Sequence, residues 1–95
     1  MPVTFHIPGP LRPYCGSLDR VEIPSSPTTL RDALDLLCAK YPGIRDRLVN
    51  EEGQLREHIN IFVGMEDMHY TGYFSTPLRP GDEIFILPAL SGGGT

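Results

Sequence analysis

Thr29-Leu30-Arg31-Asp32-Ala33-Leu34-Asp35-Leu36-Leu37-Cys38-Ala39-Lys40-Tyr41 is the stretch on which the fold turns. Leu30, Ala33, Leu34, Leu37, Cys38 and Tyr41 step by three and four and so make one apolar stripe, while Arg31, Asp32, Asp35 and Lys40 fall off it. Thr29 and Asp32 stand three apart like a capping box, with Asp in place of the usual Glu or Gln, and predict a helix that begins at Leu30. Pro42-Gly43 ends it. No other segment carries a helix signal of this strength; Ile44, Leu48 and Val49 predict one short turn.

Upstream of the helix, Val3, Phe5 and Ile7 alternate with Thr4 and His6, the period of a half-buried strand, over about residues 2–7. Leu11 to Ser17 contains Pro13 and Gly16 and reads as a loop; Leu18 to Ile23 then reads as a second strand, pairing with the first as a wide hairpin. Downstream, Asn50-Glu51-Glu52-Gly53 is a polar turn, and Ile59, Ile61 and Val63 alternate with Asn60 and Phe62 as a third strand. Gly64-Met65-Glu66-Asp67 reads as a tight turn and Met68 to Tyr70 as a short edge strand. Arg79-Pro80-Gly81-Asp82 is a turn feeding a last strand over Glu83 to Leu87.

Two strands, one good helix and two or three further strands predict an α+β domain of the β-grasp architecture, a mixed four- or five-stranded sheet with the helix on one face. A split βαβ ferredoxin-like fold would need a second helix near residues 44–56, which Glu51-Glu52-Gly53-Gln54 spoil. The helix stripe and the strand parity together predict a core holding Phe5, Val21, Leu34, Leu37, Ile61 and Ile84. With Ile59, Ile61, Val63, Ile84 and Ile86 turned to the helix, Phe62, Phe85 and Leu87 face outward, and they are the expected partner-docking surface.

At 95 residues there is room for one domain, assigned to residues 1–88, with a flexible tail over 89–95. Ten Gly and ten Pro predict short elements joined by many turns. A net charge of −4 argues against nucleic acid or an anionic membrane as partner. No apolar run is long enough to span a membrane and Met1-Pro2-Val3 does not open like a signal peptide, so a cytoplasmic protein is expected, with Cys15 and Cys38 as free thiols. Cys38 sits on the helix stripe and should be buried; Cys15, in Pro13-Tyr14-Cys15-Gly16, is expected to be exposed. His6, His58 and His69 have no companions at metal-ligand spacing, so no metal site and no catalytic residue are expected.

The informative feature is the tail. Glycine is the most conformationally free residue type, and Gly92-Gly93-Gly94 follow directly on a buried strand. Six residues from Pro88 to Gly93 reach roughly 20 Å when extended, enough to thread a narrow tunnel that any side chain would block.

Pro80-Gly81-Asp82-Glu83-Ile84-Phe85-Ile86-Leu87-Pro88-Ala89-Leu90-Ser91-Gly92-Gly93 resembles the closing motif of the MoaD/ThiS family of ubiquitin-like sulfur carriers: a Gly-Asp turn, the last β-grasp strand, a proline and a diglycine. The likeness extends over nearly the whole chain, through Val3-Thr4-Phe5-His6-Ile7-Pro8, Leu11-Arg12-Pro13, Tyr41-Pro42-Gly43-Ile44 and His58-Ile59-Asn60-Ile61-Phe62-Val63. It is greatest to the carriers of a cysteine-forming pathway. The resemblance implies that the chain is a protein co-substrate with no bound cofactor, not an enzyme. In that family a ThiF/MoeB-like adenylyltransferase uses ATP and magnesium to adenylate the last glycine. A rhodanese or cysteine desulfurase supplies sulfur for the resulting thiocarboxylate, and a downstream sulfur-accepting synthase takes it.

Carried onto this sequence, Gly93 is the glycine that is adenylated, or Gly94 in a shifted register, with Pro88, Leu90, Ser91, Gly92 and Gly93 recognised by the partner. Gly94-Thr95 extend past the diglycine and resemble a pro-tail that a JAMM-type metalloprotease cuts between Gly93 and Gly94. The alternatives are a small subunit of molybdopterin synthase, a ubiquitin-like modifier of protein lysines, or a plain interaction module with an inert tail.

Overall fold

The computed structural model describes residues 2–24 and 27–88. Its elements run β1 (Val3–His6), a 3-10 helix (Gly9–Cys15), β2 (Arg20–Ile23), α1 (Leu30–Lys40), a 3-10 turn (Pro42–Ile44) continuing into α2 (Arg45–Leu48), β3 (Ile59–Val63), β4 (Glu66–Asp67), two 3-10 turns (Met68–Tyr70 and Tyr73–Ser75) and β5 (Glu83–Pro88). The sheet has five strands in the order β2-β1-β5-β3-β4. β1 pairs with β2 antiparallel and with β5 parallel, and β3 pairs antiparallel with β5 and β4. First and last strands thus lie side by side at the centre with α1 across one face, which is the β-grasp.

α1 starts where the capping residue places it. Thr29 is extended and its Oγ1 accepts the Asp32 backbone N–H at 3.2 Å, satisfying one donor that the first turn would otherwise leave free. Asp32 instead receives the Thr28 hydroxyl at 3.4 Å, so only half of the expected box forms. Leu30, Ala33, Leu34 and Leu37 are buried, whereas Cys38 and Tyr41, at the C-terminal end of the stripe, are half-buried. They meet Val3, Phe5, Ile7, Val21, Ile23, Ile59, Ile61, Ile84 and Ile86 from the inner sheet face, so all six residues expected in the core are there.

Four local expectations are corrected. Leu11 to Ser17 is not an irregular loop: Gly9–Cys15 winds as a 3-10 helix with Pro10 in its first turn, and Leu11 and Cys15 are buried. Prolines suit this tighter winding because their fixed φ matches it, and Gly16 stops it at φ +64°. Cys15, expected in solvent, is fully buried, and burial, with the Cys38 thiol as a lesser cause, pushes its pKa up to about 11. The edge strand lies earlier than expected: Glu66–Asp67 form β4 around a Gly64-Met65 turn with Gly64 at φ +64°. Met68–Tyr70 instead winds as a 3-10 turn capped by Asp67, whose Oδ1 accepts the His69 backbone N–H at 2.9 Å, and this swings Met68 wholly into the core.

Candidate functional site

β5 carries the polypeptide to Pro88, and its position in the sheet fixes where the following residues leave the domain. On one side Thr4, Phe5 and His6 pair with Glu83, Ile84 and Phe85; on the other Ile59 to Val63 pair with Pro88 to Ile84. A strand laddered on both sides cannot shift register without breaking two sets of hydrogen bonds and turning Ile84 and Ile86 out of the core. The turn ahead of it is equally determined. Gly81 takes φ +84° after Pro80, Asp82 N–H donates to the Arg79 carbonyl at 3.1 Å, and Asp82 Oδ2 accepts the Arg79 N–H at 2.8 Å.

The outer sheet face brings the three expected docking residues together. Phe62 lies directly across from Phe85, and Leu87 follows across from Asn60. Both phenylalanines are half-buried rather than exposed, because neighbouring strands cover their edges; Leu87 is 42% exposed. Met65, at the tip of the β3–β4 turn, is 94% exposed and joins them on the rim of one shallow groove with Asp82 and Glu83. A residue not picked out from the sequence adjoins Phe85. The His6 ring stacks on Phe85 with centroids 4.2 Å apart and planes 11° from parallel, while its Nε2 meets Glu83 Oε1 at 2.6 Å. Parity could have found it, since His6 occupies the same outward phase of β1 as Phe85 does of β5.

The face is apolar with an acidic border. Asp67, opposite Phe62, is held below the usual carboxylate range chiefly by the His69 backbone N–H, with the His69 ring and the Asn60 amide adding to it. It therefore stays charged at neutral pH. His6–Glu83 and His69–Asp67 are the two ion-pair contacts among the described residues, and no three potential metal ligands cluster there. Neither thiol is poised for attack, since burial pushes the Cys38 pKa up as well. Of the expected tail residues, Pro88 closes β5 and is exposed; Leu90, Ser91, Gly92, Gly93 and Gly94 lie outside the described residues. Among the described residues no helix is long and apolar enough to cross a membrane.

A model of the ThiS family matches residues 5–93. The chain belongs to the ThiS family. It is 39% identical over 95 aligned residues to the sulfur carrier protein CysO of Mycobacterium tuberculosis, covering 98% of this chain and 100% of that one. The crystal structure of that protein superposes with a TM-score of 0.84 at 38% identity, over 93% of this chain and 99% of that one. The Amycolatopsis orientalis BexX/CysO complex contains a chain of equal similarity, with TM-score 0.84 and 36% identity over 96% and 99% of the two chains. Small archaeal modifier protein 1 of Haloferax volcanii is 32% identical over 65 residues, 68% of this chain and 70% of its own.

Proposed function

We propose that this chain is a sulfur carrier whose Gly93 carboxylate is adenylated and converted to a thiocarboxylate for a biosynthetic enzyme. The observation that carries this reading is the family match itself, which runs through the whole β-grasp and ends at Gly93, together with 39% identity to a sulfur carrier along almost the full chain. The geometry supports it: a strand fixed on both sides delivers the tail, and the face beside that strand is an apolar groove suited to a protein partner.

A carboxylate is a poor electrophile, so the chemistry needs activation. A ThiF/MoeB-like adenylyltransferase, holding ATP and magnesium, lets a Gly93 carboxylate oxygen attack the α-phosphorus and expels pyrophosphate. Hydrosulfide then adds to the acyl carbon and expels AMP, leaving a thiocarboxylate; where a rhodanese or cysteine desulfurase supplies the sulfur, its terminal persulfide sulfur displaces AMP and a thiol reductant cleaves the resulting acyl disulfide to the thiocarboxylate. Glycine suits this end because the absence of a Cβ lets the backbone enter a narrow channel. Gly94-Thr95 must first be removed by a JAMM-type metalloprotease, and Phe62, Phe85 and Leu87, with His6, dock the adenylating enzyme. The chain contributes a surface and a deliverable end, with the bond-making groups on its partners, and the downstream sulfur-accepting synthase completes the transfer.

The likeness to an archaeal modifier favours a second reading, in which the activated glycine is joined to protein lysines. Lys40, the single lysine, limits self-linked chains to one site. Intact-mass measurement decides between them. The chain ending at Gly93, incubated with its adenylating enzyme, ATP, magnesium and sulfide, should gain the mass difference between one sulfur and one oxygen. Isopeptide adducts without thiocarboxylate would support the modifier instead, and no change at all would sink both.

A further inference from the structure

At the far end of β5 from the acidic groove lies a second depression, a cleft of about 240 Å³ between the Gly9–Cys15 helix, Arg47 of α2 and the start of β3. Pro88 forms part of its wall, so it sits where the chain leaves the sheet. Its remaining lining is Pro8, Pro10, Leu11, Tyr14, Ile59, His58 and Arg47. The ionisable side chains there are basic or phenolic, and no carboxylate lines it, although the whole chain carries four more acidic than basic residues.

Arg47 is held ready for an anion. Its guanidinium carbon lies 4.7 Å from the centroid of the Tyr14 ring. A guanidinium over an aromatic face keeps its in-plane N–H donors at the edges, where a planar carboxylate can meet them in pairs. Tyr14 is in turn backed by Gly43, where a Cβ would sit 3.7 Å from the ring. Among the described residues no carboxylate lies within ion-pair distance of Arg47, whereas His6 and His69 each have one.

We infer that this tail-root cleft receives a carboxylate-bearing segment of the enzyme that accepts the tail, an Asp or Glu side chain pairing with Arg47 and an apolar neighbour resting on the prolines. The inference rests on the proposed carrier function and adds to it a second contact of opposite charge. Glu83 and Asp82 border the groove at the start of β5; Pro88, about 17 Å further along the strand at 3.3–3.4 Å per residue, walls the cleft that Arg47 and His58 line. A partner matching both ends reads the direction of β5, and with it the direction in which the tail is presented. A single apolar patch could not impose that polarity.

The test is a titration of the full chain against the ThiF/MoeB-type adenylating enzyme from the same genome, at low and high salt. Arg47→Glu should weaken binding about tenfold or more, as expected for loss of a charge-assisted pair. Arg47→Lys, which keeps the charge but not the paired donors, should retain more affinity than Arg47→Ala and less than the parent, and the deficit of Arg47→Glu should shrink as salt shortens the screening length. Thermal unfolding of each variant checks that the Tyr14 stack is not needed for folding, and His58→Glu, which leaves that stack intact, should weaken binding in the same direction. If Arg47→Glu and His58→Glu bind within about twofold of the parent while Phe85→Ala binds poorly, the cleft is not contacted and the inference fails with the carrier reading intact. Equal losses for Arg47→Lys and Arg47→Ala would also overturn it, since shape rather than charge would then be read. A full chain that does not bind, together with a form ending at Gly93 that is not modified, would remove the carrier function itself.

Discussion

Leu37 and Leu87 are chemically identical and sit on opposite sides of the same sheet, so truncating each separates the core from the docking face. Leu37 is 0% exposed beneath α1, whereas Leu87 on β5 is 42% exposed. Cutting Leu37 to Ala removes about three methylene equivalents, worth about 2.5 kcal/mol in transfer alone at about 0.8 kcal/mol each. The void left between helix and sheet carries the cost toward a total of about 3 to 5 kcal/mol. Leu87→Ala, at a side chain 42% exposed, forfeits only the buried share of that transfer and opens no void, about 1.5 kcal/mol. A domain of this size has about 5 to 14 kcal/mol to lose, so Leu87→Ala should remain folded, and Leu37→Ala does so where the parent holds about 7 kcal/mol or more. Urea unfolding at constant slope measures the difference as a shift in midpoint. Binding to the adenylating enzyme should show the reverse order, with Leu87→Ala impaired and folded Leu37→Ala close to the parent. A Leu37→Ala loss below about 0.5 kcal/mol, or two equal losses, would show that the faces had been assigned wrongly.

Two further perturbations probe the frame that holds the site. Cys15, its thiol pushed up to about 11 from an ordinary 9.0, keeps its proton in the folded state after the unfolded chain has lost it; its contribution is complete below pH 9 and drains away as pH rises to 11, roughly 2 to 3 kcal/mol at most. Urea midpoints of the parent and Cys15→Ala should therefore converge or cross over that window, and parallel curves would contradict the burial argument. Gly81→Ala forces a side chain onto a φ of +84° and should cost about 1 to 2 kcal/mol by lowering the midpoint; an unchanged or raised midpoint would mean that the turn relaxes without strain.

What the sequence made legible divides along physical lines. Elements whose signal is a period were readable, because burial on one face imposes the period: α1 from its stripe, β1, β3 and β5 from their alternation. Placing Phe62, Phe85 and Leu87 on one surface needed only that parity and the pairing of β3 with β5. Elements set by a single local contact were not readable. Met68–Tyr70 is 3-10 rather than extended because one Asp67 carboxylate caps it, and Cys15 is buried because Pro10 and Pro13 wind their segment instead of opening it. Parity turns His6 outward, but its contacts with Glu83 and Phe85, like the Arg47–Tyr14 stack between α2 and the Gly9–Cys15 helix, join residues far apart in the chain that only the finished fold brings together. The fold was thus legible from periodicity and the electrostatics of its outer face were not, while the tail lies outside the described residues.

On the proposed carrier function, the chemistry of the tail leaves specificity to the domain. Pro88 has no N–H to donate, so the β5 ladder ends there, opposite Ile59, by the nature of the residue. Beyond it, Gly92 and Gly93 have no side chains for a partner to distinguish. A diglycine that fits one narrow channel fits any channel of that width, so the end that reacts cannot also decide which enzyme it reacts with. Discrimination has to come from differences in affinity elsewhere on the surface, and it is sharpest where an incorrect partner would bury an unpaired charge. The acidic border around Phe85 and the cation at Arg47 supply charges of both signs, one beside the start of β5 and the other on α2 beside its end. A partner lacking the complementary carboxylate would leave Arg47 without a counterion as the interface closed. Changes in which enzyme is served should therefore arise from substitutions at Met65, Leu87, Glu83 or Arg47, while Gly92-Gly93 stays constant because every partner demands the same end.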